Sequence, residues 1–289
     1  MNTTNYILIA DGGSTKVEWC LIDINGNVKA SFQTEGLNAL MVSEEDAEAY
    51  FISVRKRLDP SLIPDRVYYY GAGCATLQIC TRIADAISRV WDAGTIGVES
   101  DMLAACRAVL GKAPGIACIL GTGSNSALYD GSIITDNIPP MGFILGDEGS
   151  GTAIGKRLVG DIFKRIAPVE ICEAFLESTK LTKGDILEKT YREPAPNKFL
   201  ASLVPFVKNN LSHPYIQRLL EKVFTEFFER NILPYGEISG IKVSFIGSIA
   251  DVFSDILKRT GNKFGISIDR IIPRPMPGLI TFHITNPIS

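Results

Sequence analysis

The sequence has no large excess of either charge: 29 lysines and arginines stand against 32 aspartates and glutamates, a formal net charge of −3. That balance leaves no electrostatic footprint for nucleic acid or an acidic membrane surface, and neither partner is expected. Histidine is scarce, with only His213 and His283, which argues against a zinc site. The six cysteines form no Cys-x-x-Cys pair and sit mostly in apolar runs, so they read as buried free thiols of a reducing compartment. No apolar run approaches the roughly 18–20 residues that would span a bilayer. Met1–Asn5 has no basic residue, and Tyr6–Ala10 is too short for the core of a secretory signal, so a cytoplasmic location is expected.

What the chain does have is length and a repeated order of elements. Its 289 residues, 46% hydrophobic, allow two domains of ordinary size. Tyr6–Ala10 reads as a strand, broken by Asp11-Gly12-Gly13-Ser14-Thr15 and resumed at Val17–Ile22. A turn at Asp23–Asn27 leads to a third strand, Val28–Thr34. A helical stretch near Glu44–Leu58, the strand Val67–Tyr70, a helix near Leu77–Trp91 and the strand Thr95–Val98 follow. From Gly115 the order recurs: Ile116–Leu120, the turn Gly121-Thr122-Gly123-Ser124, Asn125–Tyr129, Asp130-Gly131 and Ile133–Thr135. A helical region over about 150–233 precedes Lys242–Ile246, Gly247-Ser248, a helix near Ala250–Thr260 and Gly265–Ile268. Each half therefore reads β-β-β-α-β-α-β. The spacing predicts an α/β protein of two lobes, 1–113 and 114–289, facing one another across a cleft, with a helical insertion in the second.

The two glycine-rich turns suit phosphate. Small residues expose backbone N–H groups and let an anion approach closely. Ser14, Thr15, Thr122 and Ser124 add hydroxyls, and Lys16 adds charge. Asp11 would repel phosphate unless Mg²⁺ intervenes, which suits a role through metal-bound water. A single such turn is most often a plain hairpin. Two at matched positions in a repeat say more.

Two carboxylate positions compete between capping and chemistry. Ser100 and Asp101 both suit the N-cap of a helix over Met102–Leu110, while Asp101 also stands where a general base would face a cleft. Gly146-Asp147-Glu148-Gly149-Ser150-Gly151 opens another helix, with more small residues than a cap requires. By contrast, Glu44-Glu45-Asp46 reads as the acidic first turn of a solvated helix. Tyr68-Tyr69-Tyr70 reads as a strand packed on both faces, and Phe224, Phe227 and Phe228 as core at helical spacing.

Together, Asp11–Lys16, Glu99-Ser100-Asp101, Gly121–Asn125, Gly146–Ser150 and Phe245–Ser248 lie in the order of the sugar kinase/Hsc70/actin ATPase superfamily. The chain most closely resembles the N-acetylglucosamine kinases and the related BadF/BadG/BcrA/BcrD-type ATPases. The resemblance implies ribonuclease H-like lobes around a central nucleotide cleft, with ATP and Mg²⁺ as cofactors and a small-molecule sugar as substrate. It implies ATP contacts from Gly12, Gly13, Ser14, Thr15, Lys16, Gly121, Thr122, Gly123 and Ser124, with Gly247 and Ser248 near the adenosine. Asn38, Gly71, Gly73, Gly142 and Asp147 would surround the sugar, and Asp101 would take the proton from its hydroxyl. Met141 stands where vertebrate-type members place a tryptophan before Gly-x-x-x-Gly-Asp-Glu. The chain also ends soon after Pro275–Leu279, without the Gly/Ala-rich terminal helix of longer members.

N-acetylglucosamine, phosphorylated at its 6-hydroxyl, is the favoured acceptor, and a homodimer is one assembly to consider. Two alternatives remain at this point. One is an ATPase activator of a redox partner, for which Cys74 and Cys80 are the cluster-ligand candidates. The other is a sugar sensor without turnover.

Overall fold

The computed structural model describes residues 5–13 and 16–286. The chain divides into two compact units, one formed by residues 1–112 and 275–289 and the other by residues 113–274.

The first unit is built on a five-stranded sheet of order β3-β2-β1-β4-β5. Its strands are β1 (Tyr6–Gly12), β2 (Lys16–Asp23), β3 (Val28–Glu35), β4 (Pro64–Gly71) and β5 (Thr95–Ser100). The first three form an antiparallel meander, and β1, β4 and β5 run parallel. Helices α1 (Glu44–Arg55), α2 (Leu77–Ser88) and α3 (Asp101–Leu110) make the connections. Ile7–Ala10 of the central β1 are wholly buried, as expected of a strand covered on both faces, whereas the edge strand β3 alternates between exposed and half-buried. Ser43 caps α1 by accepting from the N–H of Asp46 at 3.1 Å, and the acidic first turn faces solvent.

Core packing explains the tyrosine run. Tyr69 faces an aromatic cluster with Trp19 and Phe51, its ring 6.0 and 5.6 Å from theirs. Tyr68 and Tyr70 face the opposite side and meet His283, which stacks 3.8 Å from the ring of Tyr68. His283 belongs to α13 (Met276–Thr285), a helix that packs on α3 within the first unit. The sequence reading grouped residues 114–289 and expected no Gly/Ala-rich terminal helix. A terminal helix is present, made instead of Leu, Ile, Thr and Phe, and its buried Leu279, Phe282 and His283 join the first unit.

The second unit repeats the sheet, with order β10-β9-β6-β7-β8. Its strands are β6 (Gly115–Leu120), β7 (Ser124–Tyr129), β8 (Ile134–Ile138), β9 (Val243–Ile246) and β10 (Ile268–Ile272). Pairing again runs antiparallel through the meander and parallel through the rest, so the duplication read from the sequence is present. The insertion contains α4 (Gly142–Leu145), α5 (Gly151–Phe163), α6 (Val169–Thr179), α7 (Lys183–Tyr191), α8 (Pro196–Ala201), α9 (Val204–Asn209) and α10 (Pro214–Phe227). A π-turn at Phe228–Ile232 and a 3₁₀ turn at Leu233–Tyr235 close it, and α11 (Ser248–Val252) and α12 (Ser254–Lys263) lie between β9 and β10. Phe224, Phe227 and Phe228 are fully buried in this unit's core, which is what their helical spacing predicts.

All six cysteines are free thiols. Among the described residues no helix is long and apolar enough to cross a membrane.

Candidate active site

In the first unit, the predicted residues meet at the carboxyl ends of the parallel strands. The register sets Gly12 beside Gly71, and Gly71 beside Ser100, so the Asp11–Gly13 turn, the Gly71–Gly73 turn and the start of α3 share one end of the sheet. The turns are tied together: the N–H of Ala72 donates to the Gly12 carbonyl at 2.7 Å, and that of Ala39 to the Ala72 carbonyl at 3.1 Å. Gly73 adopts φ +82, and a Cβ there would stand 2.5 Å from Asn38 Oδ1. Only glycine lets the Asn38 loop close on this turn. Arg82 of α2 also holds that loop, by donating to the Ala39 carbonyl. Gly13 donates its N–H to the Lys16 carbonyl at 2.9 Å. Ser14 and Thr15 lie outside the described residues.

The competition between Ser100 and Asp101 is resolved locally. Ser100 is the N-cap of α3, its hydroxyl accepting from the N–H of Leu103 at 3.2 Å. Asp101 follows it as the first helical residue and accepts from the adjacent N–H of Met102, at 2.9 Å. Desolvation holds the Asp101 carboxyl above the usual carboxylate range, although the local backbone N–H groups oppose that. Burial also pushes Asp11 up to about 7, with the charges of Glu18 and Asp101 adding to the effect and Lys16 opposing it. Two half-buried carboxylates thus stand at the end of this sheet, and the charge of Asp101 acts on Asp11. Such an arrangement marks functional sites more often than structural ones.

In the second unit, three small-residue segments converge. Leu120 pairs with Ser124 and Ile119 with Ile246, which sets the Gly121–Gly123 turn at the same end as Gly247. Gly247 has φ +118, and a Cβ there would lie 2.2 Å from the Leu120 carbonyl oxygen. The start of α5 grips the first turn. Gly151 N–H donates to the Gly121 carbonyl at 2.8 Å, and Thr152 reaches the Thr122 carbonyl with its N–H at 3.2 Å and its hydroxyl at 2.6 Å.

Asp147 makes the remaining link. It sits in the left-handed region at φ +58, and its Oδ1 accepts from the N–H of Ser124 at 3.1 Å. Desolvation raises its carboxyl above the usual range, with Ser124 opposing. The resemblance implies a place for Asp147 beside the sugar, and its bond to the Ser124 backbone has no signal in the sequence. Gly121 and Ser124 spend their N–H groups within the assembly, on Gly123 O and Asp147 respectively. Thr122 is the exposed residue of the turn. The Ser124 hydroxyl is buried with no hydrogen-bond partner.

Glu148 turns away from this cluster. Its carboxylate pairs with Arg230 at 2.7 Å and accepts from Asn231 at 3.2 Å, both on the π-turn, so its role is to fasten the motif to the helical insertion. Gly142 stands apart, at φ +69 with nothing within 4 Å of where a Cβ would be, beside exposed Met141. Cys80 donates its Sγ–H to the Cys74 carbonyl at 3.8 Å at the start of α2. The sequence reading missed Thr152, Arg230 and Asn231. Thr152 had a faint signal, as a hydroxyl in the first turn of a helix that follows a glycine-rich motif; the other two lie about 80 residues from Glu148 with no pattern joining them.

Comparison with solved structures places these features in a family. A Porphyromonas gingivalis protein provisionally described as an N-acetylglucosamine kinase matches at 38% identity and TM-score 0.89, over 98% of this chain and 100% of that one. The chain belongs to the N-acetylglucosamine kinase-like family of the sugar kinase/actin superfamily. A Chromobacterium violaceum protein with the same provisional description shares the fold at 18% identity and TM-score 0.74, over 96% of this chain and 99% of that one. So does a ROK-family glucokinase from Streptomyces griseus, solved with glucose and AMPPNP, at 13% identity and TM-score 0.61, over 96% and 97% of the two chains. Protein-family models and curated sequences returned no match. Within this family, the duplicated lobes are the two units described above.

Proposed function

We propose that the protein, an ATP-dependent sugar kinase, transfers the γ-phosphoryl group of ATP to the 6-hydroxyl of N-acetylglucosamine, with Asp101 as general base. The observation that carries the assignment of the base is the division of labour at α3. Ser100 caps the helix, so Asp101 is not needed for that task and remains a desolvated carboxylate at the end of a parallel strand. The choice of acceptor rests on the relative 38% identical to this chain.

In this reading, the first unit contributes Gly12, Gly13, Ser14, Thr15 and Lys16 to the phosphates. Gly13 acts through the open approach it leaves, because its own N–H is already used. The second unit contributes the N–H groups of Thr122 and Gly123 and the unpartnered hydroxyl of Ser124, with Gly121 shaping the turn and Gly247 and Ser248 beside the adenosine. Asn38, Gly71, Gly73, Gly142 and Asp147 contact the sugar, Asp147 through the carboxylate oxygen that Ser124 leaves free. As the sugar oxygen bonds to the γ-phosphorus, its proton passes to Asp101, and the bond from that phosphorus to the β–γ bridging oxygen breaks to release ADP. Positioning and charge neutralisation account for most of such catalysis.

Magnesium fits the donor set. It takes one or two carboxylates, keeps several waters and completes its shell from the phosphates. Asp11 is a desolvated carboxylate further burdened by Glu18 and Asp101, and a nearby cation would relieve that charge. Asp11 would be the residue that holds the ion, which would supply charge neutralisation at the phosphates. The free thiols and the use of ATP favour a cytoplasmic location.

The test is ADP release from Mg-ATP across a panel of amino sugars and hexoses, repeated with Asp101→Asn. Stimulation by N-acetylglucosamine above the other sugars, lost in the variant, is the expected result. A flat response across the panel would sink the choice of acceptor, and unchanged turnover in the variant would remove Asp101 as base.

A further inference from the structure

A cavity lies in the helical insertion, between α4, α5, α7 and α8, with a volume near 660 Å³. That is within the range of small-molecule sites, about 300–1,000 Å³. Its walls are apolar, from Phe143, Phe163, Ile186, Leu187 and Leu200. At its mouth Ile144 is 75% and Tyr191 79% exposed. Large apolar side chains grouped this way around a concavity mark a surface that binds something.

The charged groups in the lining all have one sign. Lys156, Lys164 and Lys183 contribute to it, and no carboxylate does. This contrasts with a chain whose overall charge is −3. None of the three lysines has an ion-pair partner among the described residues; Lys156 donates to the Phe143 carbonyl at 3.1 Å. Two neighbouring acids are engaged elsewhere. Asp161 accepts from the Tyr215 hydroxyl at 3.0 Å, and Asp185 accepts from the N–H and hydroxyl of Thr182 at 2.8 and 2.7 Å. Thr190, also in the lining, has a hydroxyl with no hydrogen-bond partner, which a χ1 rotation would offer to an acceptor in the cavity.

We propose that this cavity is a binding site for an amphipathic anion, a monocarboxylate with an apolar tail. The tail replaces water over the aromatic and aliphatic walls, and the carboxylate sits among lysines that have no ion-pair partner among the described residues. An apolar ligand without the charge would leave the lysines as they are. A small polar anion would leave the walls exposed. The site lies on α5, whose first turn holds the Gly121–Thr122 carbonyls, so an occupant would rest on the helix that supports the glycine-rich turn.

The experiment is calorimetric titration of the full chain with sodium octanoate and, separately, with 1-octanol, without nucleotide or sugar. No kinase step is read, so an inactive or differently specific kinase does not affect the outcome. Octanoate is expected to bind at least about tenfold more tightly than the alcohol. The double variant Lys164→Glu/Lys183→Glu should lose that margin while keeping its melting temperature, because both side chains are unpaired at the surface. Leu187→Asp should abolish binding of both ligands. Equal binding of alcohol and acid, or unchanged octanoate affinity in the charge-reversal variant, would overturn the proposal. So would sedimentation showing that Leu187→Asp converts a dimer to a monomer, since a second copy would then be the occupant.

Discussion

Asp147 reaches from a left-handed backbone position to accept the N–H of Ser124 at 3.1 Å. This bond joins the Gly-Asp-Glu-Gly-Ser motif to the Gly-Thr-Gly-Ser turn. A Cβ on Gly123 would lie 3.0 Å from the same carboxylate, so the two motifs are fitted to each other and act as one piece.

Asp147→Asn should therefore preserve stability where Asp147→Ala lowers it. Asparagine keeps an acceptor for the N–H and tolerates positive φ. Alanine strands a buried donor, at a cost of about 1–3 kcal/mol. Urea melts of the two variants check this, and equal losses in both would show that the hydrogen bond contributes nothing.

Ser100 and Asp101 should separate stability from turnover. Ser100→Ala removes the cap and should cost about 1 kcal/mol, with most activity retained. Asp101→Asn should leave the melting temperature close to wild type and lower kcat by roughly 10²–10⁴-fold, the usual range for a lost general base. Paired melts and kinetics test the assignment; a large stability loss in Asp101→Asn alone would reverse the two roles.

Asp11 makes a pH-dependent cost. Burial holds its carboxyl near 7 in the folded chain, against roughly 3.9 when unfolded. The folded state therefore binds the proton more tightly, and this contribution to stability is complete below about pH 4 and is lost as pH rises through 7. Asp11→Asn should melt higher than wild type at pH 8, with the gap closing by pH 4 to 5, while kinase activity falls. A gap independent of pH would contradict the linkage.

His283 acts with the opposite sign. Burial, with Arg107 and Arg66 nearby, holds it down to about 3, against roughly 6.5 unfolded. Its hydrogen bond with the Tyr70 hydroxyl, at 2.8 Å, and that hydroxyl's acceptance from Arg107 at 2.9 Å require the imidazole to be neutral at Nε2. Stability is thus present above pH 6.5 and declines as pH falls toward 3. His283→Gln should be less stable than wild type at pH 8, and the difference should shrink by pH 4. Tyr70→Phe, which strands the same partners, should cost about 1–3 kcal/mol at neutral pH. Chemical denaturation across this pH range tests both.

The sequence by itself determined the two sheets and their duplication, because strand and helix periods, with glycine-rich breaks, are local signals of backbone conformation and burial. It also marked Asp147 as lying in a motif with more small residues than a cap needs, and the Gly12 and Gly121 turns as matched positions of a repeat, while Asp101 read equally as cap or base. It did not reveal which of Ser100 and Asp101 caps α3, since both side chains suit that position and only their folded geometry separates them. Nor did it reveal that Asp147 binds the Ser124 backbone, that Glu148 belongs to Arg230 and Asn231, or that α13 returns to stack His283 on Tyr68. Those pairings join residues from 23 to 215 positions apart, where no periodicity operates. Strand register and packing of the core bring them together, and that is where tertiary structure alone decides.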